Sequence, residues 1–167
     1  MRRHERRPVL SARPLRRVVA VFLVATCCGC AAGASRAPER KPIEFLSSGK
    51  VLPANLPFSE AVRVGNTLYL SGQIGIVPGT LNLIDGGTKA EARQTMANIG
   101  ASLQAHGYAM SDIVKCTVML ADLADWDEFN EVYRTFFKGK YPARSAFGAS
   151  GLSLGAHVEV ECIASRP

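Results

Sequence analysis

Alternation of apolar and polar residues begins at Ile43-Glu44-Phe45-Leu46, which reads as a first strand. Two more alternating runs, Ala61 to Val64 and Thr67 to Ser71, flank Gly65-Asn66, and this predicts a tight hairpin turn. Residues 75–88, rich in Gly, Pro and Asn, read as a loop. From Lys89 to His106 the period becomes helical. Ala92, Met96, Ile99 and Leu103 share one face, while Glu91, Gln94, Asn98 and Gln104 fall elsewhere. Thr88 with Glu91 three residues on has the form of a capping box, and Gly107 ends the helix. Asp112 to Ala121 predicts a strand. Asp125 to Phe137 predicts a second helix, with Trp126, Phe129, Tyr133 and Phe136 at helical spacing. That aromatic stripe reads as core packing against a sheet, not as a cofactor box. Ser145 to Ser150 and His157 to Ala164 close the chain as strands. The order β-β-β-α-β-α-β-β, without internal repeats, implies an α+β fold with two helices on one sheet face.

The last strand divides cleanly by face. Val158, Val160, Cys162 and Ala164 point one way, fit for packing under helices, and His157, Glu159, Glu161 and Ile163 point the other. Two helices cannot cover both faces of such a sheet. The second face must meet solvent or another subunit, and Glu159 then sits where an intersubunit cleft can form.

Composition changes this picture at the N-terminus. Residues 1–30 hold seven Arg against one Glu, and the rest of the chain balances thirteen Lys or Arg against thirteen Asp or Glu. The formal charge of +6 therefore belongs to the leader and gives no support for nucleic-acid binding. The leader reads as an export signal: a basic stretch ending at Arg16-Arg17, an apolar run from Val18 to Ala25, then small residues around Cys30. The run falls short of the roughly 20 apolar residues that span a bilayer. Gly29-Cys30 has the form of a bacterial lipoprotein cleavage site, with Cys30 becoming the lipidated N-terminus, although Cys27 stands where Leu is usual. A soluble periplasmic protein cleaved nearby is the alternative, and the pattern favours the lipoprotein. Residues 31–41 read as a flexible tether and 42–167 as the folded domain. Three of the five Cys lie in the leader. Cys116 and Cys162 sit in apolar strand patterns and read best as small core residues; an oxidising compartment would permit a bridge, but spacing does not show that they meet.

The candidate chemistry lies in Pro142-Ala143-Arg144-Ser145 and Val158-Glu159-Val160-Glu161. A guanidinium held by its backbone grips a small carboxylate at two points. A glutamate nearby can take a proton from water or from the gripped substrate. Position alone would allow Arg144 to be half of a structural ion pair, and Glu159 to be one of two solvated glutamates. Gly151-Leu152-Ser153-Leu154-Gly155 matches the spacing of a nucleophile elbow, but that motif needs a helix after it and here a strand follows. His106 and His157 have no ligand spacing with each other or with Cys116 and Cys162, so no metal site is expected. Gly86-Gly87 lacks the lysine and spacing of a phosphate loop.

From Pro57 to Ala164 the chain resembles the Rid family of reactive intermediate deaminases (RidA/YjgF). The matching segments are Gly65-Asn66 leading into Ser71-Gly72-Gln73-Ile74, then Phe129-Asn130-Glu131-Val132-Tyr133, then Pro142 to Ser145 and Val158 to Glu161. The resemblance implies a chorismate-mutase-like fold and a homotrimer whose sheets line a central barrel, with sites in the clefts between subunits. It also implies hydrolysis of 2-imino acids and their enamine tautomers, such as 2-aminoacrylate, to 2-oxo acids and ammonia without a cofactor. By the same resemblance Arg144 binds the substrate carboxylate and Glu159 positions or activates water. Ser71 and Gly72 form the site wall, and Asn130 helps to order the site. Phe58 falls where the archetype has a tyrosine, so a phenol donor is lost while the ring remains. Ala146 falls where some members have Cys and others Ala. A trimer that binds small carboxylates without turning them over is the competing expectation. An anchored interaction scaffold is a third, and it would need an exposed apolar patch.

Overall fold

A computed structural model describes residues 40–53 and 55–167. The predicted leader 1–30, with Cys30, and most of the tether 31–41 lie outside these residues. The elements are β1 (Ile43–Leu46), β2 (Ala61–Val64), β3 (Thr67–Leu70), β4 (Gln73–Ile74), α1 (Gly87–Ala105), β5 (Ile113–Leu120), α2 (Trp126–Arg134), β6 (Ala143–Gly148) and β7 (Val158–Ser165). They form one sheet in the order β1-β2-β3-β7-β5-β6, with β4 also paired to β7. Only β5 and β6 run parallel, and α2 supplies the crossover that a parallel pair requires. Gly65, at φ +60°, makes the tight turn between β2 and β3.

The core lies between one sheet face and both helices. Leu68, Cys116, Val118, Val158, Val160, Cys162 and Ala164 meet Ala92, Met96, Ile99 and Leu103 of α1 and Phe129, Val132 and Tyr133 of α2. The inward alternation expected for the last strand is the one observed. Across the other face, Phe45, Val62, Tyr69 and Ile163 stand in register on four adjacent strands. Phe45 is 75% exposed and Tyr69 47% exposed, so this apolar row is uncovered in the single chain.

Several expectations are corrected. Helix α1 starts at Gly87 after a left-handed Gly86, and Thr88 lies in its first turn instead of capping it. The Thr88 hydroxyl donates to Asp125 Oδ2, and Glu91 turns away to accept from the backbone N–H of His157 and to meet its Nδ1 at 2.7 Å. Glu91 and Asn98, placed off the apolar face by their polarity, are buried because each finds a distant partner. The loop after Ile74 is pinned by a bridge between Ile76 and Leu83. Helix α2 ends at Arg134, short of Phe137. Strand β6 starts at Ala143, before Ser145, because Lys115 and Cys116 of β5 pair with Ala143 and Arg144. Cys116 and Cys162 are more than core residues: facing each other across β5 and β7, they form a disulfide.

Candidate active site

Arg144 lies on the edge strand β6, level with Cys116 of β5. Directly paired residues share a sheet face, and Cys116 is buried toward the helices, so Arg144 leaves on the helical face. There it meets the aromatic side chains of α2. Its Cζ lies 5.0 Å from the centre of the Trp126 ring, 4.7 Å from Tyr133 and 5.8 Å from Phe129. Ring faces attract a flat cation and restrict its motion. None of the ion pairs among the described residues involves Arg144. The guanidinium opens instead into a depression of about 370 Å³, which Asn130, Tyr141 and Pro142 also line. A guanidinium so held can take a planar carboxylate at two points. Ala146 is on the same face but packs against the core and does not line this depression.

Glu159 leaves the opposite face, level with Met119 of β5 and Ile74 of β4. It shares a pocket of about 410 Å³ with Phe58, Ser71 and Gly72. A β-carbon on Gly72 would stand 2.0 Å from Glu159 Oε1, so the lack of a side chain there is what admits the carboxylate. Ser71 Oγ donates to the Ser59 carbonyl at 2.7 Å, which ties down the end of β3 beside the pocket. Burial pushes the Glu159 carboxyl above the ordinary carboxylate range, and repulsion from Glu161 adds to the shift. A carboxylate raised this way is a stronger base than a free one.

The residues expected at one site thus fall into two groups. Arg144 and Asn130 share one depression, and Phe58, Ser71, Gly72 and Glu159 share the other pocket. Within one chain Arg144 and Glu159 do not converge: they are on opposite sheet faces and at different levels of β5. Sequence reasoning gave the Trp126 and Tyr133 rings to the core alone. Their helical spacing was legible, but the same spacing describes an ordinary buried stripe, and only the fold brings Arg144 beneath it. Asn98 was missed too. Its Nδ2 donates to the Ile74 carbonyl at 3.1 Å and the Ile76 carbonyl at 3.0 Å, fixing the chain that walls the Glu159 pocket. Among the described residues no group of three or more His, Cys, Asp and Glu could hold a metal ion.

Fold and pockets together define a class: a one-sheet α+β domain whose polar chemistry gathers at compact pockets sized for small molecules. Residues 49–166 match the endoribonuclease L-PSP family. Over 121 residues the chain is 43% identical to 2-iminobutanoate/2-iminopropanoate deaminase of Mus musculus, spanning 72% of this chain and 90% of that protein. The crystal structure of RidA from an Antarctic Psychrobacter matches with a TM-score of 0.69 at 40% identity, over 74% of this chain and 99% of that one. The structure of E. coli TdcF with bound serine matches with a TM-score of 0.69 at 31% identity, over 74% and 99%. The chain belongs to the Rid/YjgF (L-PSP) family.

Proposed function

We propose that this protein is an imine deaminase that hydrolyses 2-imino acids and their enamine tautomers to 2-oxo acids and ammonia. Water adds its oxygen to C2 of the imine, the C–N bond then breaks, and the protons of water leave on nitrogen. Arg144 holds the carboxylate and so fixes C2. Glu159 orients the water and takes its proton. An imine already hydrolyses in water, so positioning plus general base catalysis, the latter worth about a hundred- to ten-thousand-fold, is enough. The observation that carries this reading is Arg144 itself, a cation seated among aromatic rings and paired with none of the described acids. The serine in the related TdcF structure, a small amino acid with a carboxylate, is consistent with it. The nuclease activity in the family's description is not adopted: residues 31–167 carry as many acidic as basic groups, so their net charge gives no support for RNA binding.

The two half-sites belong to neighbouring copies of a homotrimer. Arg144 and Asn130 of one copy face Glu159, Ser71 and Gly72 of the next, which resolves the separation seen within one chain. Phe58 leaves the substrate nitrogen without a phenol donor, and this keeps a second reading in view, a trimer that binds small carboxylates without turnover. The chain is exported and anchored through Cys30. A disulfide supports an oxidising compartment, since such bonds persist outside the reducing cytosol.

The test adds the purified protein to imino acid generated by an amino-acid oxidase. Wild type speeds 2-oxo acid release, and Arg144→Ala loses about a hundredfold or more in kcat/KM, the loss of two charge-assisted hydrogen bonds. Saturable 2-oxo acid binding without acceleration would establish the binding protein instead.

A further inference from the structure

The Glu159 pocket is far more apolar than its chemistry requires. Besides Phe58, Ser71, Gly72 and Glu159, its walls are six aliphatic side chains, Leu52, Leu56, Ile74, Ile76, Leu81 and Leu154, and one more polar residue, Ser153. The Ser71 hydroxyl is committed to the Ser59 carbonyl, and among the described residues that line this volume Glu159 is the one ionisable group. Its size of about 410 Å³ lies within the range of pockets that enclose whole small ligands, and a substrate whose side chain is a single methyl would leave most of it wet.

The walls are also held in place. Asn98, itself buried, fixes the carbonyls of Ile74 and Ile76. The segment that carries Leu81 folds back through Val77 N–H to the Asn82 carbonyl and Ile84 N–H to the Gly75 carbonyl. Leu154 has φ +60°, a left-handed conformation that non-glycine residues rarely adopt. Such backbone persists where the surroundings over-determine it, and it clusters at ligand sites. Here it leaves the Leu154 side chain 56% exposed beside the pocket, with Leu81 49% and Phe58 50% exposed. These exposures are those of the single chain; in the proposed trimer the same three apolar side chains and the next copy's Arg144 bound one cleft, where an apolar ligand group fits better than water.

We infer that this pocket takes the side chain of the imino acid, and that the enzyme prefers 2-imino acids with a bulky aliphatic or aromatic side chain over short-chain ones. The inference rests on the deaminase reading and adds the substrate class. Each methylene seated in a fitted apolar pocket is worth roughly tenfold or more in discrimination, so even partial contact yields a clear preference.

The experiment compares imines generated in situ by an amino-acid oxidase from leucine, phenylalanine and alanine. The readout is the full-length protein's competition with a semicarbazide trap. The expected result is a kcat/KM for the leucine- or phenylalanine-derived imine at least about tenfold above that for the alanine-derived one. Leu154→Gly, which also relieves the left-handed strain, and Leu81→Ser should each pull that ratio toward one, mainly through KM. Equal acceleration of all three imines overturns the side-chain assignment and leaves the deaminase reading standing. A ratio unchanged in both variants also overturns it. Acceleration of none overturns both readings together.

Discussion

Gly72 and Glu159 behave as one unit. A β-carbon at position 72 would stand 2.0 Å from Oε1, so Gly72→Ala and the observed Glu159 carboxylate cannot coexist. The clash is with the far end of a flexible side chain, so the backbone has no need to move. The expected result is a thermal midpoint within about 2 °C of wild type, as for substitutions with little structural strain, and a kcat/KM reduced by about a hundredfold, the order of loss for a misplaced catalytic group. The pH profile adds a second readout. Glu159 is raised by burial and by Glu161, and it acts as a base only when ionised. Wild-type activity therefore falls as pH drops through a value above that of an ordinary glutamate, and a carboxylate displaced toward solvent moves this limb to lower pH. A Gly72→Ala enzyme with wild-type rate and an unmoved acidic limb would remove Glu159 from the chemistry.

At the level of elements, the face that each strand and helix turns to the core is legible locally, whereas the capping box at Thr88 and Glu91 and the extension of α2 to Phe137 are not borne out. Strand alternation placed Val158, Val160, Cys162 and Ala164 inward, and helical spacing placed Met96, Ile99 and Leu103 in the core. What failed depended on partners far along the chain. Glu91 and Asn98 are buried because His157 and the carbonyls of Ile74 and Ile76 satisfy them, and no local pattern carries those contacts. Arg144 falls inside a strand because β5 pairs with it, whereas the local pattern starts that strand only at Ser145. The disulfide is the same case: alternation turned both Cys inward, but their meeting depends on the register of strands whose cysteines are 46 residues apart. It ties β5 to its neighbour β7, which carries Glu159. Closing a loop of that length contributes about 2–4 kcal/mol. The double variant Cys116→Ala/Cys162→Ala, which leaves no lone buried thiol, should melt roughly 10 °C lower while keeping a measurable deaminase rate. Peptide mapping under non-reducing conditions should give a fragment joining Cys116 to Cys162, two hydrogens below the sum of its free-thiol halves; alkylation of Cys116 and Cys162 themselves in the untreated protein would contradict the bridge.

For the whole molecule, the sheet itself poses the decisive question. It stands between Arg144 and Glu159, so no side-chain rotation within one chain brings them to a common ligand. The uncovered row Phe45, Val62, Tyr69 and Ile163 offers an apolar surface for association on the face that Glu159 shares. In the proposed trimer each copy gives its arginine to the next copy's glutamate, a heterologous contact that closes into a ring. This arrangement has a countable consequence. Arg144→Ala and Glu159→Gln are each inactive alone. Refolded together in equal amounts, they form mixed trimers in which one of the three clefts receives Arg144 from one variant and Glu159 from the other. Random assembly then restores about a quarter of the wild-type site number, with wild-type KM at the restored sites. Separately refolded variants mixed without subunit exchange stay inactive, and this controls for trace activity. If co-refolded trimers of verified mixed composition show no recovery, the two residues do not serve one site across a subunit boundary. With the sheet between them in the single chain, the catalytic pairing itself would then be wrong.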